Sequence, residues 1–575
     1  MWSLGVFLMD RPWFANYPPD VPREVDTSGI ESMRDLLEAS FEQFADRSFS
    51  VCMDRWMTYK ELDHLSLSFA SWLQHLGLKP GARIGIMLPN VPQFAVVMSG
   101  ILRAGFVCVN INPLYTSREL EHQLCDSGCT LIIILENFAH TLEPVLSKTL
   151  LESIVLTSLG DLLGPLKGPW INFAVKYLAK MVPSFELKDA NVLGHTPLIA
   201  RLGKCLSEGK TFSFQRPSIQ AESFAFLQYT GGTTGLSKGA ILTHRNIIAA
   251  TLQAQYWLSP ALKLKKDLPQ FNSIAALPLY HIFALTLCFY TIRTGSFLTL
   301  IPNPRDIKKF VSVLAKRPFH IFPAVNTLFN ALLQNEAFRA LNFKDLCVTQ
   351  AGGMAASEST AKEWKRVTGS TMIEGWGMSE TCAIGSNNPS NLTVFSGTIG
   401  LPLSGIDMVI KDDNGQTLGV HTSGEICIKG PNVMKGYFNQ PSETQKAFTA
   451  DGYLRTGDIG TQDANGFFKI VDRKKDMILV SGFNVFPSEI ESVASSCPGV
   501  LECAAVSILD DKQGEAIKLF VVKKEPALTQ EDVLTYCKTQ LTAYKIPKVI
   551  EFKDALPKSN VGKILRRELR DTPNH

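Results

Sequence analysis

The stretch RIGIML, Arg83 to Leu88, is a short apolar run that reads as a buried strand. Val91 to Leu102 reads as a helix, Val107-Cys108-Val109 as a strand, Ser117 to Ser127 as a helix and Leu131 to Leu135 as a strand. Strands alternating with helices of about 10–15 residues imply a parallel sheet of α/β type. Upstream, Met33, Leu36, Leu37, Phe41 and Phe44 fall at helix spacing within Ser32 to Phe44. Met57-Thr58-Tyr59 leads into a second helix, Leu62 to Leu76. The same rhythm returns from Glu222 to Cys347.

Further outward the character changes twice. Between Gly164 and Lys188, Trp170, Ile171, Phe173, Tyr177, Leu178 and Met181 alternate with Lys167, Lys176 and Lys180. This segment is either an interfacial amphipathic helix or a surface helix packed on its own domain. After Gly400, short strands at Met408-Val409-Ile410, Glu425 to Ile428 and Phe467 to Val471 are separated by Gly and Asp turns, as in a β-rich subdomain. The charge run Asp472-Arg473-Lys474-Lys475-Asp476 then divides the chain, leaving about 100 residues for a small α+β domain. The expected division is therefore residues 1–471 and 472–575.

Composition agrees with a large globular chain. At 575 residues, a soft prior of about 150 residues per unit gives about four folding units. Apolar residues at 45% and charged residues at 19% exclude a disordered chain. No run of about 18 uncharged apolar residues marks a spanning helix. A net charge of +3 makes no case for nucleic acid. The 12 Cys lack zinc spacing and read as buried or idle thiols of a reducing compartment. Met1 to Met9 has neither a basic start nor a small-residue cleavage site, so a secretory signal is not expected, and Met9 is an alternative start.

The most informative chemistry lies in YTGGTTGLSKGA: Tyr229, Thr230, Gly231, Gly232, Thr233, Thr234, Gly235, Leu236, Ser237, Lys238, Gly239 and Ala240. An apolar lead enters a loop whose glycines let the backbone wrap an anion, whose hydroxyls donate and whose Lys238 adds positive charge. The spacing is not that of a Walker A loop, because Lys238 precedes Gly239 rather than Ser or Thr.

Four further segments follow in order: GWGMSET at Gly375 to Thr381, DGYLRTGDIG at Asp451 to Gly460, KIVDRKKDMILVSGFNVFPSEIE at Lys469 to Glu491, and PKSNVGK at Pro557 to Lys563. With the first loop they resemble the adenylate-forming acyl-CoA synthetases, from about Tyr17 to Arg570, and most of all the bacterial long-chain fatty acid–CoA ligases. The resemblance implies a large N-terminal domain of α/β subdomains plus a β-rich subdomain, with a small mobile C-terminal lid. It also implies a reaction using ATP, Mg²⁺ and CoA. A fatty carboxylate attacks the α-phosphorus, giving acyl-AMP and pyrophosphate, and the CoA thiol then displaces AMP.

Residue roles come with the resemblance. The Thr230–Lys238 loop would hold the β- and γ-phosphates, and Glu380 would hold Mg²⁺. Gly375, Trp376, Gly377, Met378, Ser379 and Thr381 would frame the nucleotide, with Trp376 on adenine. Gly352 and Gly353 would line the adenine. Asp458 would accept from the ribose hydroxyls, with Arg473 on ribose or phosphate. Lys563 would be the mobile catalytic lysine. Leu277 to Phe283 would line the acyl pocket, with His281 beside the carboxylate or else a satisfied core histidine. Val325 to Phe329 would form another wall. Phe283 and Leu285 stand where some long-chain members carry a Trp gate. The lid would turn at 472–477, with Lys475 at the pivot, and Gly482 would line the pantetheine tunnel.

Rival readings are a medium-chain or aryl acid–CoA ligase, a fatty acyl-AMP ligase serving a carrier protein, and a silent acyl or nucleotide sensor. The expected location is cytoplasmic, peripheral on the inner face of the membrane. Preferred chain length and oligomeric state, a homodimer among the options, are not legible.

Overall fold

The structure is a computed structural model describing residues 11–187, 196–230, 237–265, 267–480, 483–510, 514–559 and 564–570. The opening rhythm is realised as strands Arg83–Met87, Val107–Asn110 and Leu131–Leu135 with helices Pro92–Arg103 and Ser117–Ser127 between them. The latter helix shows why its ends are sharp. Thr116 and Glu119 form a reciprocal cap at its start, and Gly128 ends it in the left-handed region at φ 59°. The second helix begins at Tyr59, three residues before Leu62, because Thr58 caps it by accepting from the Glu61 N–H.

Two large sheets result. An eight-stranded sheet runs Gly436–Tyr437, Lys238–Thr243, Phe224–Thr230, Val107–Asn110, Arg83–Met87, Leu131–Leu135, Ser153–Thr157, Leu198–Arg201. Its six strands from Phe224–Thr230 onward are parallel, and the two at the other edge are antiparallel. A nine-stranded sheet has a parallel centre of Met372–Trp376, Val348–Ala351, Ile321–Ala324, Asn272–Ala275 and Phe297–Leu300.

The β-rich subdomain is a four-stranded antiparallel sheet of Asp407–Lys411, Gly424–Lys429, Leu454–Gln462 and Phe468–Arg473. Its third strand contains most of DGYLRTGDIG, a segment that carries no strand signal in the sequence. The last strand carries Asp472 and Arg473, so the sheet continues past Val471. Asp472 Oδ2 accepts from Ser488 N at 2.8 Å, joining this sheet to the small domain. That domain packs Pro487–Ser495 and Gln530–Gln540 on a five-stranded sheet around Ile490, Val521 and Val533.

The lysine-and-aromatic segment forms the helix Lys167–Phe173 and one π turn, Ala174–Leu178. Its base is fixed by close backbone approach. A Cβ on Gly168 would stand 2.4 Å from Gly160 O, and Asn172 Oδ1 accepts from Gly160 N at 2.7 Å. Most of the apolar side chains nevertheless face outward. Trp170 and Tyr177 are 60% exposed and Leu178 64%, with Phe173 ringed between Trp170 and Tyr177. Among the described residues, no helix is long and apolar enough to cross a membrane.

Candidate active site

The chemical motifs gather by a topological rule. Thr230 ends the strand Phe224–Thr230, Trp376 ends Met372–Trp376, and Gly352 follows Val348–Ala351. Val325 follows Ile321–Ala324, and Leu277 to His281 follow Asn272–Ala275. These strands pair in parallel with neighbours in their sheets, so these five segments sit at carboxyl ends, where open α/β sheets bind ligands. Asp458 and Arg473 come instead from the antiparallel β-rich sheet.

At the first of these ends, Thr230 pairs with Lys238 across the antiparallel strands. Gly231, Gly232, Thr233, Thr234, Gly235 and Leu236 lie outside the described residues. Ser237 gives its carbonyl to His122 Nε2 at 2.9 Å. Tyr229 donates to Asp126 Oδ2 at 2.5 Å, while its ring covers Gly239. Ala240 is buried. Lys238 forms an ion pair with Glu443, and its ammonium stands 5.3 Å from the centre of the Tyr437 ring.

Tyr437 links that lysine to Glu380. Its hydroxyl donates to Glu380 Oε1 at 2.8 Å. Glu380 lies in the short turn Ser379–Thr381 and is buried, which raises its carboxyl above the ordinary range. The Tyr437 bond opposes that rise, as do the more distant charges of Arg473 and Lys238. Cys382 and Ala383, directly after this turn, take positive φ of 52° and 63°. Two consecutive non-glycine residues there are uncommon and store strain beside the acid. Thr381 is fully buried, and its hydroxyl accepts from Met378 N at 3.0 Å and donates to Met378 O at 3.2 Å. Asn432 Nδ2 holds the same turn through Thr381 O at 2.8 Å.

On the other side of the turn, Trp376 Nε1 donates to Asp458 Oδ2 at 2.9 Å, and Arg473 Nε lies 3.1 Å from Asp458 Oδ1. Three residues from three separate motifs thus meet, two of them on neighbouring strands of the β-rich sheet. Gly375 precedes Trp376, and Gly377 follows it so closely under Ala383 that a Cβ would stand 2.2 Å from its carbonyl oxygen. A Cβ on Gly352 would stand 2.7 Å from the Phe283 ring, so the segments expected to line adenine and acyl chain touch there. Gly353 follows at φ 77°.

The acyl segment is held from below. Asn90 Nδ2 donates to the carbonyls of Ala275 and Leu277 at 2.8 and 2.9 Å, and Asn90 Oδ1 accepts from Leu279 N at 2.8 Å. Gln228, on the strand leading to Thr230, donates to Tyr280 O at 3.1 Å. His281 caps the helix Ile282–Thr294, Nδ1 accepting from Phe283 N at 3.3 Å. Lys563 and Gly482 lie outside the described residues. Four polar partners carry no sequence signal of their own: Tyr437, Glu443, Asp126, and Glu374, whose Oε1 accepts from Ala356 N at 2.9 Å beside the Gly352–Gly353 loop.

Residues 37–438 match the AMP-binding enzyme family, and residues 489–563 match its C-terminal domain. The chain belongs to the AMP-binding enzyme family. A protein of Escherichia coli O6:H1 named long-chain-fatty-acid–CoA ligase is 48% identical over 565 residues, 98% of each chain. One of that name in Haemophilus influenzae is 44% identical over 566 residues, again 98% of each. Among solved structures, ATP-bound MatB from Rhodopseudomonas palustris superposes with a TM-score of 0.77 at 26% identity, covering 94% of this chain and 98% of that one. The family architecture of a large N-terminal and a small C-terminal domain is the one described above.

Proposed function

We infer that this chain is an ATP-dependent long-chain fatty acid–CoA ligase. It activates a fatty acid to acyl-AMP with release of pyrophosphate, then passes the acyl group to CoA with release of AMP. The observation that carries the reading is the meeting of Trp376, Asp458 and Arg473 beside the Lys238–Tyr437–Glu380 chain. The first cluster suits a nucleoside and the second a polyphosphate. Full-length likeness to the named ligases supports the long-chain substrate.

The chain's residues mainly screen charge and hold two anions in line. Lys238 and the hydroxyls of its loop take the β- and γ-phosphates. Asp458 keeps lone pairs for the ribose hydroxyls beyond its two present partners. Arg473 braces that carboxylate. Glu380 fits Mg²⁺: it is a buried carboxylate beside the phosphate loop, and Mg²⁺ is ordinarily held by one or two carboxylates plus substrate phosphates. Bound there, Mg²⁺ would neutralise phosphate charge. Lys563 meets the attacking carboxylate and α-phosphate. The small domain then turns at 472–477 and brings Gly482 to the thiol path.

AMP release from ATP and CoA across acids of rising chain length tests the reading. The highest kcat/KM is expected with long chains. A maximum at medium-chain or aromatic acids overturns the substrate assignment.

We further propose that the protein sits at the cytoplasmic face of the membrane. The outward aromatics of Trp170 to Tyr177, with Lys176 and Lys180 among them, favour the interfacial reading of that helix. Reversing both lysine charges should reduce sedimentation with anionic vesicles, and unchanged partition would sink this placement.

A further inference from the structure

Lys238 stands in an ion pair that phosphate binding does not require. Its partner Glu443 lies in the first turn of the helix Pro441–Ala447. The strand Gly436–Tyr437 leads into that helix and pairs with Lys238's own strand, Gly436 opposite Ile241 and Tyr437 opposite Ala240. Backbone pairing therefore delivers acid and ammonium to the same place. Thr444 fixes the start of the helix, its hydroxyl accepting from Tyr437 N at 2.8 Å. The second oxygen of Glu443 takes Lys446 Nζ at 2.8 Å. One carboxylate is thus shared by two lysines, which hold it down at about 2. Lys238 and Glu443 side chains are 28% and 31% exposed, so water screens the pair and keeps it exchangeable.

A polyphosphate arriving at Lys238 meets Glu443 as a like charge on the same ammonium. Both anions cannot keep that ammonium at full strength, and the carboxylate has Lys446 to fall back on. We propose that Glu443 is a built-in competitor for Lys238. It occupies the phosphate lysine when no polyphosphate is bound, weakens ATP and pyrophosphate alike, and returns to Lys238 as pyrophosphate leaves. This adds a residue that sets polyphosphate affinity for the reaction and no new covalent step. It rests on the assignment of Lys238 to the phosphates.

The test uses the full chain without fatty acid. Calorimetry gives the Kd of ATP, and competition against ATP gives that of pyrophosphate. Glu443→Gln and Glu443→Ala should each lower both constants about three- to fivefold, the size of a partly exposed ion pair. Lys446→Gln leaves Glu443 undivided on Lys238 and should raise both about twofold. A merely structural role of the helix would move all three variants in one direction, together with their melting temperatures. In a Lys238→Ala background, Glu443→Gln should change nothing further. The proposal is overturned if the Glu443 variants bind ATP and pyrophosphate as the parent does, or more weakly, while Lys238→Ala still weakens both. If Lys238→Ala leaves both constants unmoved, the phosphate assignment itself falls, and the competitor with it.

Discussion

Glu380 in the large domain and Glu491 in the small one are both carboxylates of a signature segment, yet their surroundings differ: Glu380 is buried, whereas Glu491 is half-buried with 17% of its side chain exposed. Glu491 accepts three hydrogen bonds from the Arg566 guanidinium at 2.7 to 3.1 Å and a fourth from Ala505 N at 2.8 Å. Burial raises its carboxyl, and that fork opposes the rise. Glu380 has the Tyr437 hydroxyl, its own backbone N–H and two distant cations. A half-buried carboxylate held by a guanidinium fork and a backbone N–H is part of a domain's architecture. A buried charge closed on one side, next to strained backbone, is poised for a ligand. The small domain would then act through Lys563 and Gly482, and the large domain through its buried acid.

The largest effect should come from Lys563 and Gly482. Lys563→Ala removes positive charge from the developing pentavalent phosphorus and should slow adenylation roughly 10²-fold or more. Supplied acyl-AMP should still become acyl-CoA at near the normal rate. Gly482→Leu should do the reverse, releasing pyrophosphate for one turnover while acyl-CoA formation collapses. Equal loss of both half-reactions in both variants would favour a single conformation, with no division of labour between the domains.

Next in size is Glu380→Gln. It is isosteric and can keep the Tyr437 bond, so the fold should hold. Adenylation should fall about 30-fold and the Mg²⁺ requirement should rise, since the amide is a poor ligand for a hard cation. Parental metal dependence in the variant would remove Glu380 from the metal site. Glu491→Gln should show the opposite profile. Chemistry per folded molecule stays, while the small domain loses about 2 kcal/mol, because Arg566 keeps its charge and loses the carboxylate fork, retaining Asp476 Oδ2 at 3.4 Å. Chemical denaturation measures this directly. Replacing both partners with Met should cost less than the single change, and a larger loss would argue that the pair has a further task.

Much of this contrast is readable before the structure. The helix Ser117–Ser127 and the strand Leu131–Leu135 have the bounds their periodicity predicts. Lys238, Glu380, Asp458 and Arg473 stand in motifs dense enough to be noticed. Leu454–Gln462 hides as a strand because its glycines and Asp458 depress β-propensity, and only pairing with Gly424–Lys429 and Phe468–Arg473 makes it one. Tyr437 and Glu443 are invisible for another reason. Their partners lie 57 and 205 positions away, and no local pattern encodes a meeting created by an added edge strand. The outward face of Trp170 to Tyr177 is equally unreadable, since amphipathic spacing does not say which face the rest of the fold will cover.

A third acid sharpens the comparison with the smallest effect. Glu374, one strand position before Gly375, is buried and accepts from Ala356 N, with no cation paired to it among the described residues. Burial pushes its carboxyl up to about 7. Between the ordinary value near 4.5 and about 7, the folded chain keeps a proton that the unfolded chain has lost. Stability should therefore fall as pH rises through that window and level off above it. A shift of this size caps the loss at about 3 kcal/mol, and relaxation of the Gly352–Ala356 loop should leave about 1 kcal/mol. Glu374→Gln can still accept the Ala356 N–H and never ionises. At pH 5 it should melt with the parent, and at pH 8 above it. Glu491→Gln removes the acid that Arg566 holds in the parent and should lose stability at both values. If Glu374→Gln lowers the melt equally at pH 5 and pH 8, the carboxyl is already ionised at the lower pH, and the groove around Gly352 is more open to water than the packing of Phe283 implies.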